Sequence, residues 1–391
     1  MQLDPELLPK ITFARKVCAM RRLWFLSLIL LPASAAMAQS NFVYTDDNNR
    51  PNTVSAFRVG DNGSLTLVPG SPFPTGGNGG GNNVDPQEIT TVTTGPTSFL
   101  YAGNNGDGTI SGFVINPQTG TLLPVPGSPF AAGASNGNFS LTPSPNDQFL
   151  FATDDFLPII RVFAISGQTG TLSEIPGSPF LTAGQAQGLK VSPNGKFLVA
   201  GLRSKNAVAT FAIASSGVLT SVGVFPASGA ATSEDVNCKS NRVYNVNAGS
   251  TLIDVYALDD TGTLTPINGS PFSNGSASGS LALALSPSGP FLFASDGFGS
   301  QISALSIDPN GALRSVPGSP FPATDWTSQV ASTADGKFVY SALFVDAAVD
   351  AHSASAAGVL APVPGTPFHT GQSPVGVVTI TTFPAPTCNK Q

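Results

Sequence analysis

A segment of the form Gly-x-Leu, followed after about three residues by Pro-Gly-Ser-Pro-Phe or a worn copy of it, returns seven times along this chain. The leading glycines are Gly63, Gly120, Gly170, Gly217, Gly262, Gly311 and Gly358, so neighbouring copies lie 57, 50, 47, 45, 49 and 47 residues apart. A unit of ~40–50 residues that holds several short strands cannot bury its apolar faces alone and must stack on its neighbours. The period therefore predicts an all-β fold, a seven-bladed β-propeller with four antiparallel strands per blade.

The copies support that division. In the sixth, Ser280–Ser286, Phe291–Ser295, Gln301–Ile307 and Leu313–Val316 read as strands, and Ser286-Pro-Ser-Gly289 between the first two reads as a tight turn. Leu65 and Val68 are three apart, so they cannot share one face of a regular strand, and both faces must be buried, as in a blade between two neighbours. Pro69 lacks an N–H and suits an outermost strand, and Pro69-Gly70 suits the centre of a type II turn. Phe73 and its equivalents Phe130, Phe180, Phe272, Phe321 and Phe368 are expected to plug the gaps between blades. The fourth copy is degenerate, reading Val222-Gly-Val-Phe-Pro226. The first blade lacks an innermost strand before Asn41–Tyr44, and Pro374–Thr382 supplies a match, so the C-terminal strand is expected to close the ring.

Charged residues make up 10% of the chain and the net charge is −6, which gives no basic footprint for phosphate backbones and excludes nucleic acid as the expected partner. A surface of Ser, Thr, Asn, Gly and Pro suits an exported protein. Arg15, Lys16, Arg21 and Arg22, then apolar Leu23 to Leu31, then Ala36-Met37-Ala38 read as a secretory signal. The apolar stretch falls well short of the ~20 residues of a membrane span. The expected organisation is a signal peptide over 1–38, a propeller over 39–383 and a tail over 384–391, giving a secreted or periplasmic monomer that starts near Gln39 and has no membrane span; Met1 and Met20 both stand as start codons. Cys238 and Cys388 remain in the mature chain, either paired or as two thiols.

The strings Pro-Gly-Ser-Pro-Phe, Ser192-Pro-Asn-Gly-Lys-Phe-Leu198 and Ala334-Asp-Gly-Lys-Phe-Val-Tyr340 resemble the seven-bladed lactonase-like propellers, which include bacterial 6-phosphogluconolactonase and the YVTN-type repeat proteins. The resemblance covers the whole mature chain. It implies a carboxylic ester hydrolase acting on a sugar lactone or related ring ester at the channel mouth. It also implies a Gly-Pro-Arg-His stretch on an inner strand and an arginine pocket for a phosphorylated substrate. No Arg-His pair occurs in this chain, and Thr232–Cys238 is acidic. The alternative is a non-catalytic propeller that binds a polysaccharide or a cell-surface protein.

Connections into the inner strands and turns between second and third strands are the segments that reach a channel mouth. They carry His369, Glu234, Asp235 and Arg203 as the catalytic candidates, with His369 as the general base and Arg203 steadying an oxyanion. Asp325, Trp326, Arg50 and Asp154 are the ligand-binding candidates, and Asp46, Asp47, Asp85, Glu88, Asp155 and Asp296 make the mouth acidic. Carboxylates converging on one axis raise one another's pKa or recruit a hard cation such as Ca²⁺; no metal ligands are assigned. Asp and Asn are equally good turn residues. Gly133-Ala-Ser135-Asn-Gly137 matches a nucleophile elbow in spelling but has no helix to follow it. Gly76 to Asn83 lacks the Gly-Lys-Ser/Thr ending of a phosphate loop and reads as a surface insertion.

Overall fold

The computed structural model describes residues 40–81, 87–133, 140–154 and 156–382. The expected signal segment, the tail with Cys388, Asp85, Asp155 and most of the elbow-like loop lie outside the described residues. Seven antiparallel sheets follow one another, each with its inner strand paired to the second, the second to the third and the third to the outer strand. From inner to outer, blade 4 is Ala186–Val191, Phe197–Leu202, Ala207–Ile213 and Leu219–Pro226. Blade 5 is Ala231–Val236, Arg242–Asn247, Leu252–Leu258 and Leu264–Pro266, and blade 6 is Ala282–Leu285, Phe291–Asp296, Gln301–Ile307 and Leu313–Ser315. The only helical elements among the described residues are two single 3₁₀ turns, Arg203–Lys205 and Gly297–Gly299.

Ring closure follows the sequence reading. Gly376–Thr382 pairs antiparallel with Ser40–Asp46 over seven residues, from Ser40 opposite Thr382 to Asp46 opposite Gly376. Val377 and Ile380 are buried there, one in the cluster shared with blade 7 and the other in the cluster shared with blade 2. The same division explains the spacing in the outer strand. Leu65 packs toward blade 7 and Val68 toward blade 2, while Leu67 between them is half exposed.

The phenylalanine of the Pro-Gly-Ser-Pro-Phe motif packs into the gaps between blades as expected, Phe73 against the cluster shared by blades 1 and 2, Phe130 against that of blades 2 and 3, and Phe321 within that of blades 6 and 7. The same phenylalanine forms a two-residue fifth strand against the third strand, as Phe73 does opposite Val54, and Phe73, Phe130, Phe180, Phe272 and Phe368 are only half-buried. The motif's serine hydroxyl accepts a third-strand N–H left open by the short outer strand: Ala56 to Ser71 at 2.9 Å, Val162 to Ser178 at 3.0 Å and Ala304 to Ser319 at 2.9 Å. Blade 4 lacks the motif because its outer strand is eight residues long and satisfies the third strand with its own backbone, through a bulge between Thr210 and Phe211.

The same gaps are also filled by an aromatic near the start of the second strand. Phe42, Phe99, Phe149, Phe197, Phe291 and Phe338 lie against Gly120, Gly170, Gly217, Gly262, Gly358 and Gly63, the Gly-x-Leu glycine of the following blade in each case. These glycines have left-handed backbones, and a Cβ on Gly120 (φ +77) would sit 2.4 Å from the Phe42 ring. Gly120→Ala is expected to destabilise the protein by about 2–4 kcal/mol, combining backbone strain with overpacking. Urea unfolding checks this, and a midpoint equal to wild type would contradict the clasp.

Candidate active site in the central channel

The inner strands of all seven blades line a central cavity of about 310 Å³. Strand register identifies equivalent positions around it. Val377, Ile89, Leu141, Leu189, Glu234, Leu283 and Val330 all pair with the residue three beyond the clasp phenylalanine of the second strand, or beyond Arg242, which takes its place in blade 5. Six of the seven are aliphatic, and blade 5 alone places a carboxyl there. Glu234 is fully buried. Its room is made by two glycines of blade 4: a Cβ on Gly188 would lie 2.2 Å from one carboxyl oxygen and a Cβ on Gly201 2.0 Å from the other. Neither oxygen makes a well-formed hydrogen bond to a described residue, although the Gly201 backbone approaches closely enough to lower the carboxyl pKa, and the cross-strand partner is the buried Asn245, whose Oδ1 is unpaired.

Beside it, Asp235 and Lys190 face one cavity and form an ion pair at 2.9 Å. The other Asp235 oxygen accepts the Leu285 N–H at 2.9 Å. Inner strands leave their channel-side N–H groups without a strand partner, and side chains satisfy some of them. Gln329 takes the Val377 N–H at 2.9 Å, and Gln87 reaches from blade 2 to the Leu189 N–H and the Ser233 hydroxyl, both at 3.2 Å.

Burial pushes the Glu234 carboxyl up to about 8, with the Gly201 backbone pulling weakly the other way. Burial also raises Asp46 to about 8, and Asp47 and Asp296 to about 6, against the hydrogen bonds they accept. A carboxyl whose folded pKa exceeds its unfolded value stabilises fully below the ordinary carboxylate range, and that contribution is lost as pH rises through the folded pKa. The melting temperature is therefore expected to fall from pH 5 to pH 9, with most of the loss complete by about pH 8. Differential scanning fluorimetry across that range checks it, and a flat profile would contradict the buried acids.

Residues 144–277 match the family "Lactonase, 7-bladed beta-propeller". The periplasmic gluconolactonase of Pseudomonas aeruginosa superposes with a TM-score of 0.72 at 16% identity, over 88% of this chain and 99% of that one. The chain is a seven-bladed β-propeller, and its match to the lactonase family spans about a third of its length. A proposed 6-phosphogluconolactonase of Bacteroides fragilis is similar at TM-score 0.71 and 18% identity, again over 88% and 99%. The hydrazine synthase of Kuenenia stuttgartiensis shares the ring at TM-score 0.55 and 13% identity, over 77% and 97%. At these identities the likeness is one of fold, which hosts unrelated chemistries. No curated protein matches the chain in sequence.

In this propeller the sequence candidates separate. Glu234 and Asp235 line the central cavity. His369 is exposed, on the two-residue strand at the periphery of blade 7, opposite Ala348. Arg203 borders a different cavity of about 290 Å³ with Gln185 and Gln187. Arg50 holds the glycine-rich insertion through the Gly79 carbonyl at 3.0 Å, and Asp154 accepts the Phe156 and Leu157 N–H groups of its own turn. Asp325 accepts the Asp346 N–H at 2.9 Å, and Trp326 packs edge-on against Phe344. The acidic mouth is thus largely a set of turn anchors, and no group of three His, Cys, Asp or Glu that could hold a metal ion occurs among the described residues. Lys190, Gln87 and Gln329 were not among the sequence candidates. Lys190 was legible, because it occupies the same repeat position as Asp235 one blade away.

Proposed function

We propose that this chain is an exported hydrolase of a small, uncharged lactone, acting in the central cavity. The carrying observation is Glu234, a carboxyl raised to about 8 in a slot that six other blades fill with aliphatic side chains, beside the Lys190–Asp235 pair. Carboxyls tuned toward neutrality by burial are suited to proton transfer near physiological pH. Ionised Glu234 would take a proton from a water as it attacks the lactone carbonyl. The Lys190 ammonium, held and kept charged by Asp235, would steady the developing oxyanion. Collapse of the tetrahedral intermediate breaks the ring C–O bond, and Glu234 returns the proton to the leaving alkoxide, giving a hydroxy acid.

The cavity lining holds one cation, Lys190, and it is already paired, so no free positive charge awaits a phosphate; Thr90, Thr142, Ser332 and Thr379 offer hydroxyls to a neutral sugar ring. The volume is at the small end of ligand pockets. Export is supported by the basic–apolar–small pattern of residues 15–38 and by the disulfide at Cys238, whose partner lies outside the described residues. The likeness to a periplasmic gluconolactonase points the same way. No helix among the described residues is long and apolar enough to cross a membrane.

A binding module for carbohydrate or a cell-surface protein is the second reading, favoured by the missing Arg-His pair. Purified protein assayed against neutral and phosphorylated sugar lactones, with Ca²⁺ and with chelator, separates the two. Turnover of neutral lactones alone is expected. Inertness toward the whole panel would overturn the hydrolase reading and leave the binding module.

A further inference from the structure

The clasp between blades is broken once. At the seam of blades 5 and 6 the position held elsewhere by a phenylalanine is Arg242, whose Nε and Cδ, rather than a ring, lie over Gly311. A cavity of about 380 Å³ opens there, lined by Asn237, Lys239, Arg242, Tyr244, Ile307 and Pro309 among others, and sharing no lining residue with the central cavity.

Tyr244 carries the second departure. In blades 1, 2 and 7 the equivalent tyrosine is buried and donates to the carbonyl of the next blade's clasp glycine: Tyr44 to Gly120 at 2.9 Å, Tyr101 to Gly170 at 2.7 Å and Tyr340 to Gly63 at 2.9 Å. Tyr244 is as deeply buried, yet its hydroxyl has no hydrogen-bond partner among the described residues. An unsatisfied buried donor costs about 1–3 kcal/mol, and this one lines the cavity. Arg242 donates to the Asn310 and Asn241 carbonyls at 3.2 and 2.7 Å. Neither it nor Lys239 has a carboxylate partner among the described residues, because the acid on the rim, Asp308, is taken by Arg314 at 2.9 Å. The disulfide at Cys238 ties down the turn that bears Asn237 and Lys239.

We propose that this seam is a second ligand site, separate from the central cavity, for a small organic carboxylate with an apolar body. The carboxylate meets Arg242 and Lys239, the Tyr244 hydroxyl donates to it, and the apolar part rests on the tyrosine ring, Ile307 and Pro309. A cavity of this volume is of ligand size, and the charge on its rim is opposite to that of the protein as a whole.

Isothermal titration of the full-length protein with benzoate, hexanoate and the neutral isostere benzamide tests this. At least one carboxylate is expected to bind one-to-one and benzamide about tenfold more weakly or not at all, the difference made by a charge-assisted hydrogen bond. Arg242→Phe, which restores the clasp, should abolish binding and raise the melting temperature. Tyr244→Phe should weaken binding about tenfold without changing the fold. Glu234→Gln, in the central cavity, should leave it unchanged. Failure of both carboxylates to bind, equal binding of benzamide, or loss of binding in Glu234→Gln would each overturn the proposal. Should Arg242→Phe misfold, Tyr244→Phe decides, and unaltered carboxylate affinity in that variant overturns the site.

Discussion

Deleting residues 374–391 is expected to yield protein that is insoluble or melts far below the full-length chain. The deleted strand pairs over its whole length with Ser40–Asp46, so its loss strips the inner edge of blade 1 and leaves an unpaired strand facing solvent. It also removes Val377 and Ile380, buried against different neighbours, each worth roughly 1.5–3 kcal/mol. The side chains they cover, among them Phe42, Val43 and Tyr44, lose packing on the same side. Against a whole-domain stability of about 5–15 kcal/mol the sum is decisive. Circular dichroism melts and sedimentation check it. A truncated protein that melts like the full-length one would refute closure by this strand.

Glu234→Gln is expected to lower kcat for lactone hydrolysis by about 10²–10⁴-fold, the scale for losing a positioned acid or base. KM should change little, because the amide keeps the shape of the carboxyl. Stability should not suffer. The wild-type carboxylate is buried without a well-formed hydrogen bond to any described residue, so replacing it removes an ionisation that opposes folding above neutral pH. The variant should accordingly melt with less pH dependence between pH 6 and 9. The wild-type kcat/KM profile should rise with a group titrating near 8 and lose that limb in the variant. Retained turnover in Glu234→Gln would remove this residue from the mechanism and leave the cavity to Asp235 and Lys190.

Much of the fold was legible because a repeat states its own period. Seven glycines gave seven blades, and a first blade without an inner strand pointed to Pro374–Thr382, of which Gly376–Thr382 forms the strand. The spacing of Leu65 and Val68 correctly called for burial on both sides. Of the aromatics between blades, Phe73 was legible and packs against the cluster of blades 1 and 2, whereas Phe42, which recurs with the same period and fills the same gap, was missed. For the site, acidic residues in turn segments were an ambiguous signal. Asp154 and Asp325 use their oxygens on turn N–H groups, a role that spelling does not separate from ligand binding. Glu234 carried a sharper signal. It breaks a column of aliphatic residues, and the break is visible only once strand register aligns the seven inner strands. Arg242 breaks a column of phenylalanines in the same blade. In a repeat, departures from the consensus mark where function can be written, while the consensus records only packing.

Pairing the last strand with the first has a consequence for how the chain is made. Blade 1 begins to emerge first and can be completed only after residue 376 has appeared, so its inner edge stays open through the synthesis of six further blades. Intermediates on the ribosome or at a translocation pore therefore present a sheet edge of up to seven residues, and contacts of such long sequence separation form slowly. The ring can close only after this last strand has emerged, and any factor that shelters the protein during biogenesis has the strand Ser40–Asp46 to cover until then.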